Sequence, residues 1–359
     1  MADSVACRFY EVDNVADRSK KANIDRRPAS ERVERVFAFL DELILALPLR
    51  PGHRDLLQIH LTVGKERAVA WPQMSSIQLP LLVHAAITGD ERSALPVAGA
   101  CTLLYLGADL FDSILDQELP SMWQARDPSE ASLAATTLLG ALPQLSIARL
   151  QERGTPPERL WKLAHYFAEY GLTMGAGQYE DLLFPSLENV SIEDSRAMAE
   201  HKSGAEYALF TTAGATLATG DPSAIEAYAA FGSCFGTAQQ LINDAQDIWG
   251  HKRGRDLSNG KRTLPVVHAL STLGGESRER LQKLLAAASE SREHHDGVRA
   301  LLAEVGSLRY TALIVWLYQQ QARSHLASAS PREPAARELY KLLDQASILP
   351  EPREVQSSD

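Results

Sequence analysis

The chain has 359 residues, 45% hydrophobic and 23% charged, which is enough apolar sequence for one large core or two modest ones. Its formal net charge of −10 argues against nucleic acid as a partner. The cysteines form no spacing motif, the N-terminal stretch lacks an apolar signal core, and the apolar runs are too short to span a bilayer. We therefore expect a cytoplasmic protein without a transmembrane segment.

Helical periodicity dominates the chain between two polar ends. We predict a mobile tail over residues 1–28, a helical domain over 29–348 and a mobile tail over 349–359. The predicted helices cover 30–47, 54–71, 76–88, 94–119, 129–151, 157–183, 192–219, 223–249, 263–271, 277–289, 295–305, 309–327 and 334–347. No stretch alternates like a β-strand and no long linker divides the chain, so the sequence predicts a single all-α bundle.

The predicted helix over 94–119 carries an acidic face. Asp109, Asp112 and Asp116 are spaced by three and four residues, which puts them on one side of the helix. Carboxylates that face a bundle interior are costly unless they bind cations. The alternative for this helix alone is a solvent-exposed acidic stripe.

A second acidic segment ends the predicted helix over 223–249. Asp244 and Asp247 share a helix face, and Asn243 shares a face with Asp247. A glycine-rich basic loop follows over 251–262, which we predict to be mobile and to close over a bound ligand. Its cations are Lys252, Arg253, Arg255, Lys261 and Arg262. Oxygen ligands beside mobile cations suit the binding of Mg²⁺ together with a diphosphate.

Both acidic segments resemble the aspartate-rich motifs of the trans-isoprenyl diphosphate synthase, or polyprenyl synthetase, family. The stretch from Gln240 through NDAQD to GKRTLP is similar to the second motif and its loop, with Asn243 in place of its first aspartate. The stretch DSILD is similar to the first motif, DDxxD, with Ser113 in place of its second aspartate. GAGQYEDL and HKSGAEYALF are similar to further family segments, so that the likeness spans about residues 55–325.

The resemblance implies an all-α isoprenoid-synthase helical bundle with a central apolar cavity, a homodimer, and a prenyl diphosphate substrate bound with a cluster of Mg²⁺ ions, about three per site. It implies that Asp112, Asp116, Asp244 and Asp247 are catalytic. The implied metal ligands are these four aspartates and Asn243. The implied diphosphate ligands are Lys202, Gln240, Lys252, Arg255 and Lys261.

The chain departs from the family where the elongating enzymes bind isopentenyl diphosphate. The segment 75–80, SSIQLP, has no basic residue, Tyr105 replaces a histidine, and Arg126 stands alone where an arginine pair is expected earlier. Lys65 and Arg67 could substitute if the alignment slips. A second anionic substrate needs fixed cations. Without them the chain resembles class I terpene cyclases, which ionise one prenyl diphosphate and bind no isopentenyl diphosphate.

Three functions remain open. The first is a terpene synthase that ionises a linear prenyl diphosphate and cyclises or quenches the carbocation. The second is a trans-prenyltransferase, which elongates a prenyl diphosphate or prenylates a non-isopentenyl acceptor. The third is a non-catalytic partner subunit of an active synthase, which Ser113 and the lost basic site would suggest.

Overall fold

The computed structural model describes residues 27–117, 119–249, 254–289, 291–346 and 348. Residues 27 and 28, assigned to the N-terminal tail from the sequence, form the start of the first helix. The rest of both predicted tails lies outside the described residues. So do residues 251–253 of the predicted loop over 251–262.

Every regular element in the described residues is helical, which confirms the predicted all-α fold. The helices are α1 (Arg27–Leu45), α2 (Pro51–Ala70), α3 (Ser75–Thr88), α4 (Leu95–Leu115), α5 (Ser121–Gln124), α6 (Pro128–Thr136), α7 (Leu142–Ala148), α8 (Pro157–Leu183), α9 (Ile192–Ala199), α10 (Ala205–Ala218), α11 (Pro222–Trp249), α12 (Arg255–Ser258), α13 (Leu264–Thr272), α14 (Gly275–Ala286), α15 (Arg292–Glu304), α16 (Ser307–Ser328) and α17 (Ala335–Gln345).

The longest helices pack around α10 and α11. Helix α11 packs against α10 and α16, while α10 also contacts α3, α4 and α8. Helix α10 is buried on nearly all sides, which fits its composition of small and apolar residues. The large apolar cluster includes Leu103, Phe210 and Phe231, and a smaller cluster centred on Leu281 covers the end of α11. This packing places α4, α8 and α11 around α10.

A short π-helical segment, Glu200–Gly204, interrupts the helix predicted over 192–219. Two glycines allow neighbouring helices to approach it closely. A Cβ atom on Gly177 of α8 would lie 2.6 Å from the backbone nitrogen of Lys202, and one on Gly236 of α11 would lie 2.1 Å from the carbonyl oxygen of Ser203. The segment is therefore wedged between α8 and α11, and π-helical turns of this kind frequently occur at functional sites.

Two helical stretches, Arg92–Leu115 and Pro128–Arg153, are long and apolar enough to cross a membrane by length and composition alone. The length of uninterrupted apolar runs did not indicate this, because polar residues divide both stretches in the sequence. In their most apolar windows, 72% and 44% of the residues are buried inside the protein. The first stretch contains α4, whose apolar sides form part of the protein core.

Candidate functional site

Acidic side chains from two long helices and a short one meet around two lysines. The set, called the lysine–carboxylate network below, consists of Asp112 on α4, Asp116 directly after α4, Asp181 on α8, Asp256 on α12, Lys202 in the π-helical segment and Lys261 after α12. Asp244 and Asp247 on α11 border this network through Asp256. The charge of Asp256 acts on Asp244, and the backbone of Asp256 contacts Asp247. Asp256 and Lys261 thus connect the two acidic segments in the fold.

Lys202 joins the first acidic helix to α8. Its Nζ lies 2.9 Å from Oδ2 of Asp181 and 3.4 Å from Oδ1 of Asp112. Gln178 donates a hydrogen bond of 2.8 Å to the same oxygen of Asp112. Burial acts to lower the pKa of Lys202, but the charges of Asp181 and Asp112 outweigh it and raise that pKa. Lys202 therefore stays a cation in the protein interior.

Lys261 is the second cation of the network. Its Nζ lies 3.1 Å from Asp116, 3.2 Å from Asp181 and 3.8 Å from Asp256. Burial again acts to lower the lysine pKa, and the surrounding carboxylates raise it well above its ordinary value. Two ammonium groups thus lie between carboxylates that would otherwise repel one another.

The acids of α11 are more deeply buried. Asp244 is 4% exposed, and Gln240 donates a hydrogen bond of 2.8 Å to its Oδ1. Its Oδ2 is buried and has no hydrogen-bond partner among the described residues. Burial, followed by the charge of Asp256, raises the pKa of Asp244. Asp247 accepts a hydrogen bond of 2.9 Å from the backbone of Asp256, and burial and the charge of Asp247 raise the pKa of Asp256.

The remaining predicted ligands are placed differently. Asn243 is exposed, whereas its neighbour Asp244 is buried. Gln240 touches the site through Asp244 and also accepts a hydrogen bond of 2.5 Å from Ser203. Arg255 is the first residue of α12, directly before Asp256. Lys252 lies outside the described residues.

Two network carboxylates were not among the predicted site residues. Asp181 is 7% exposed and contacts both lysines, although in the sequence it stands out only through its resemblance to a family segment. Asp256 lies in the basic loop, where it looks like a local counter-charge. The only signal in the sequence that could have identified Asp256 is its position five residues before Lys261. In the structure, the short helix α12 turns Asp256 toward α11.

A hydrogen-bond network outside the site supports the segment that carries Lys202. Tyr318 of α16 donates a hydrogen bond to Glu200, the first residue of the π-helical segment. Arg196 of α9 donates to the Tyr318 oxygen at 2.9 Å and also lies over its ring. His201 pairs with Glu180 of α8 at 3.0 Å. These contacts hold both sides of Lys202 in place.

The donor set fits Mg²⁺. All the acidic groups are oxygen donors, and Asp244 keeps a buried oxygen without a partner. Within the described ranges, no three acidic, histidine or cysteine side chains already form a cage for a metal ion. Mg²⁺ needs no such cage, because it is usually held by one or two carboxylates together with substrate phosphates. Asp112, Asp116, Asp244 and Asp247 are the residues that could hold it.

The three cations that could replace the missing basic site, Lys65, Arg67 and Arg126, each have an acidic partner. Lys65 lies 2.9 Å from Glu34, Arg67 contacts Asp109 at 2.7 and 3.2 Å, and Arg126 lies 3.0 Å from Glu130. The segment 75–80 forms the start of α3, where Ser75 donates a hydrogen bond of 2.9 Å to Tyr207. In the described part of the chain, the candidate substitutes for the missing cations are therefore already paired with carboxylates.

Comparison with known proteins places these features in context. The polyprenyl synthetase family model matches residues 119–304. A (2E,6E)-farnesyl diphosphate synthase of Mycobacterium tuberculosis is 27% identical over 311 residues, which cover 80% of this chain and 85% of that protein. A tryptophan prenyltransferase of Bacillus spizizenii is 28% identical over 250 residues, covering 66% of this chain and 82% of that protein.

A solved structure shares the fold. Geranylgeranyl pyrophosphate synthetase from Pyrococcus horikoshii superposes with a TM-score of 0.77 at 22% identity, over 90% of this chain and 98% of the other. The predicted isoprenoid-synthase helical bundle is thereby confirmed.

Proposed function

We propose that this chain, which belongs to the polyprenyl synthetase family, is a magnesium-dependent prenyltransferase that acts on an allylic prenyl diphosphate. The observation that carries the proposal is the lysine–carboxylate network, in which two ammonium groups lie among carboxylates from separate helices. The names of the relatives, a farnesyl diphosphate synthase and a tryptophan prenyltransferase, support prenyl transfer.

The residues divide into two roles. Asp112, Asp116, Asp244 and Asp247 would hold Mg²⁺, which neutralises diphosphate charge and makes it a better leaving group. Lys202 and Lys261 would turn from their carboxylate partners to the oxygens of the diphosphate. A bound diphosphate would replace the carboxylates around the two lysines by phosphate oxygens. Because the ammonium groups are already buried, its binding would cost no further loss of their hydration.

The remaining residues orient the metal ligands. Gln178 fixes one oxygen of Asp112, and Gln240 fixes one oxygen of Asp244. The apolar packing of α4, α10 and α11 would keep water from the allylic cation when the C–O bond breaks. The bond electrons leave with pyrophosphate, an electron pair of the acceptor forms the new bond to the prenyl carbon, and the acceptor then releases a proton.

A terpene cyclase is the second candidate. The observation that favours it is the pairing of Lys65, Arg67 and Arg126 with acidic partners, which leaves a second diphosphate without a fixed cation. In that case the substrate's own double bonds would attack the cation.

The two candidates are separated by one assay. Purified protein is incubated with Mg²⁺ and geranyl, farnesyl or geranylgeranyl diphosphate, with and without an added acceptor, and pyrophosphate and organic products are measured. Pyrophosphate release with prenylated acceptor supports the transferase, whereas a cyclic hydrocarbon or alcohol formed without an acceptor supports the cyclase. Release of no pyrophosphate from any donor would reject both and favour a non-catalytic subunit.

A further inference from the structure

A second polar cluster lies one helical turn from the lysine–carboxylate network. Glu206 of α10 follows Lys202 by four residues and lies within reach of its charge. The charge of Glu206 also acts on Cys101 and Tyr105 of α4 and on Tyr207 of α10, and the charge of Asp109 acts on Glu206. We call these five residues, Cys101, Tyr105, Asp109, Glu206 and Tyr207, the Glu206 cluster.

The cluster lies on matching faces of two helices. Cys101, Tyr105 and Asp109 are spaced by four residues and so occupy one side of α4, which packs against α10. The same face continues to Asp112, whose Oδ1 is 3.4 Å from Lys202. A prenyl group whose diphosphate contacts Lys202 would therefore extend past Glu206.

Glu206 has no structural task in the described part of the chain. Only burial and neighbouring charges act on its carboxyl group, and no hydrogen bond or ion pair from a described residue engages it. Burial, followed by the charge of Asp109, raises the pKa of Glu206 to about 8, and Lys202 partly opposes this. A partly buried carboxyl group with a raised pKa is a typical proton acceptor near neutral pH.

The surroundings of Glu206 disfavour an anionic ligand. Arg67 contacts both carboxylate oxygens of Asp109, and Lys202 is held by Asp181 and Asp112. On α3, Ser75 donates a hydrogen bond to the Tyr207 oxygen. Hydroxyl groups and an acid suit a neutral ligand that carries a polar hydrogen. A diphosphate would instead meet two acids, and the described cations beside them, Arg67 and Lys202, are already paired.

Resting on the proposed prenyl transfer, we propose that Glu206 accepts the proton of a neutral acceptor, which attacks the prenyl group through an N–H or O–H group. The C–O bond of the donor breaks and its electron pair leaves with pyrophosphate. The lone pair of the acceptor nitrogen or oxygen forms the new bond to the prenyl carbon. The proton released from that nitrogen or oxygen passes to the Glu206 carboxylate.

The test uses the full chain with Mg²⁺ and farnesyl diphosphate, with indole, ¹⁸O-labelled water or isopentenyl diphosphate as the acceptor probe. We expect prenylated indole or ¹⁸O-labelled prenyl alcohol, at a rate that rises about tenfold between pH 7 and pH 9 as a group of pKa about 8 loses its proton. At Mg²⁺ concentrations that saturate the protein at both pH values, so that ionisation of Asp244 does not limit the rate, Glu206→Gln should lower this transfer on the order of 10²-fold and remove the rise with pH, with little change in the donor KM.

Two variants control for a merely structural effect. Asp109→Asn keeps the base and its burial, which is the main cause of the raised pKa of Glu206, but removes the second cause, the charge of Asp109, so the rise with pH should move to lower pH. Glu226→Gln changes an exposed glutamate of α11 and should leave the rate and pH profile unchanged. Circular dichroism checks that each variant folds. If Glu206→Gln fails to fold, the shift of the pH–rate profile in Asp109→Asn still tests the role of Glu206.

The outcomes separate this inference from the proposed function. Wild-type transfer and pH profile in Glu206→Gln, an unshifted profile in Asp109→Asn, or efficient extension of isopentenyl diphosphate would each overturn the role of Glu206 while leaving prenyl transfer established. Absence of pyrophosphate release by the wild-type protein, or a hydrocarbon as its sole product, would overturn the proposed function itself, and the inference with it.

Discussion

Lys261 lies 3.1 Å from Asp116, although 145 residues separate them in the chain. The Lys261 side chain is 11% exposed, and its Nζ is also 3.2 Å from Asp181. One ammonium group therefore connects α4, α8 and the segment after α12. Because such a buried cation is weakly screened by water, the arrangement of the carboxylates depends on it.

The first prediction concerns this cation. Lys261→Met should abolish pyrophosphate release and lower the free energy of unfolding by about 3–5 kcal/mol at neutral pH, the usual cost of leaving buried charges without their partner. Urea denaturation and a pyrophosphate assay measure the two effects. Lys283→Met, at an exposed position of α14, is the matched control. Unchanged stability and activity in Lys261→Met would contradict the importance of the network.

The stability loss should depend on pH with a definite sign. Burial acts to raise the pKa of Asp181, but Lys202 and Lys261 outweigh it and lower that pKa below its ordinary value. Stability from this carboxylate is therefore fully present above the unfolded pKa, about 4, and is lost as the pH falls through the folded pKa. Lys261→Met should show a smaller loss on acidification than the wild type.

The second prediction concerns the outer aspartates of the first motif. Asp112→Ala and Asp116→Ala should each reduce turnover on the order of 10²-fold or more while the helical fold remains. The fold should persist because Lys202 and Lys261 both keep Asp181 as a partner. Circular dichroism and pyrophosphate release measure the two properties, with Asp41→Ala on α1 as an exposed control. Near-wild-type turnover by both variants would contradict a metal-binding role.

Helix periodicity was sufficient to predict the fold, because apolar residues recur at helical spacing along most of the chain. The predicted helix over 157–183 coincides with α8, and the one over 76–88 starts one residue after α3. The spacing of Asp112 and Asp116 correctly indicated a shared acidic face. Periodicity could not reveal the π-helical turn at Glu200–Gly204, because the turn depends on close approach by Gly177 and Gly236 from other helices.

The partners of the site acids were not predictable from local sequence. Which carboxylate Lys202 or Lys261 contacts depends on tertiary packing, as the distance in sequence between Lys261 and Asp116 illustrates. The same holds for Asp256, which reaches Asp247 only because α12 folds back toward α11. Whether Lys65 or Arg67 could replace the missing cations of the isopentenyl diphosphate site could also be judged only from the structure. It shows that they pair with Glu34 and Asp109.

The third prediction follows from the pKa of Asp244. Burial and the charge of Asp256 raise this pKa, so the folded state holds a proton that the unfolded state has lost above pH of about 4. The corresponding stability is present at low pH and is lost as the pH rises through the folded pKa. We expect Mg²⁺ to stabilise the wild type more at pH 9 than at pH 6, because binding needs the ionised carboxylate.

Thermal unfolding with and without Mg²⁺ at the two pH values measures this effect. Asp244→Asn cannot ionise, so its metal-free stability should fall less between pH 6 and pH 9, and its response to Mg²⁺ should be weak at both. An equal pH dependence in the variant and the wild type would show that another group is responsible, with Asp256 the next to test because its pKa is also raised.

The fourth prediction concerns residues 250–260. Asp256, within this segment, and Lys261, directly after it, contact groups of α4, α8 and α11. A diphosphate with Mg²⁺ would bridge the same groups more strongly. Proteolysis within 250–260 should therefore be slower with Mg²⁺ and pyrophosphate than without them. Lys261→Met should lose most of this protection. Equal cleavage with and without the ligands in the wild type would argue against closure over diphosphate.

The fifth prediction concerns isopentenyl diphosphate. Two more negative phosphate groups beside Asp109 and Glu206 would lose water contacts without gaining a free cation, since Arg67 already pairs with Asp109. Affinity should be on the order of 10²-fold weaker than for the allylic donor, a difference of about 3 kcal/mol. Labelled isopentenyl diphosphate should therefore not enter the product even at high concentration. Asp109→Asn, which releases Arg67, should improve its binding. Efficient incorporation by the wild-type protein would instead assign chain elongation to this enzyme and require Arg67 to exchange Asp109 for the incoming diphosphate.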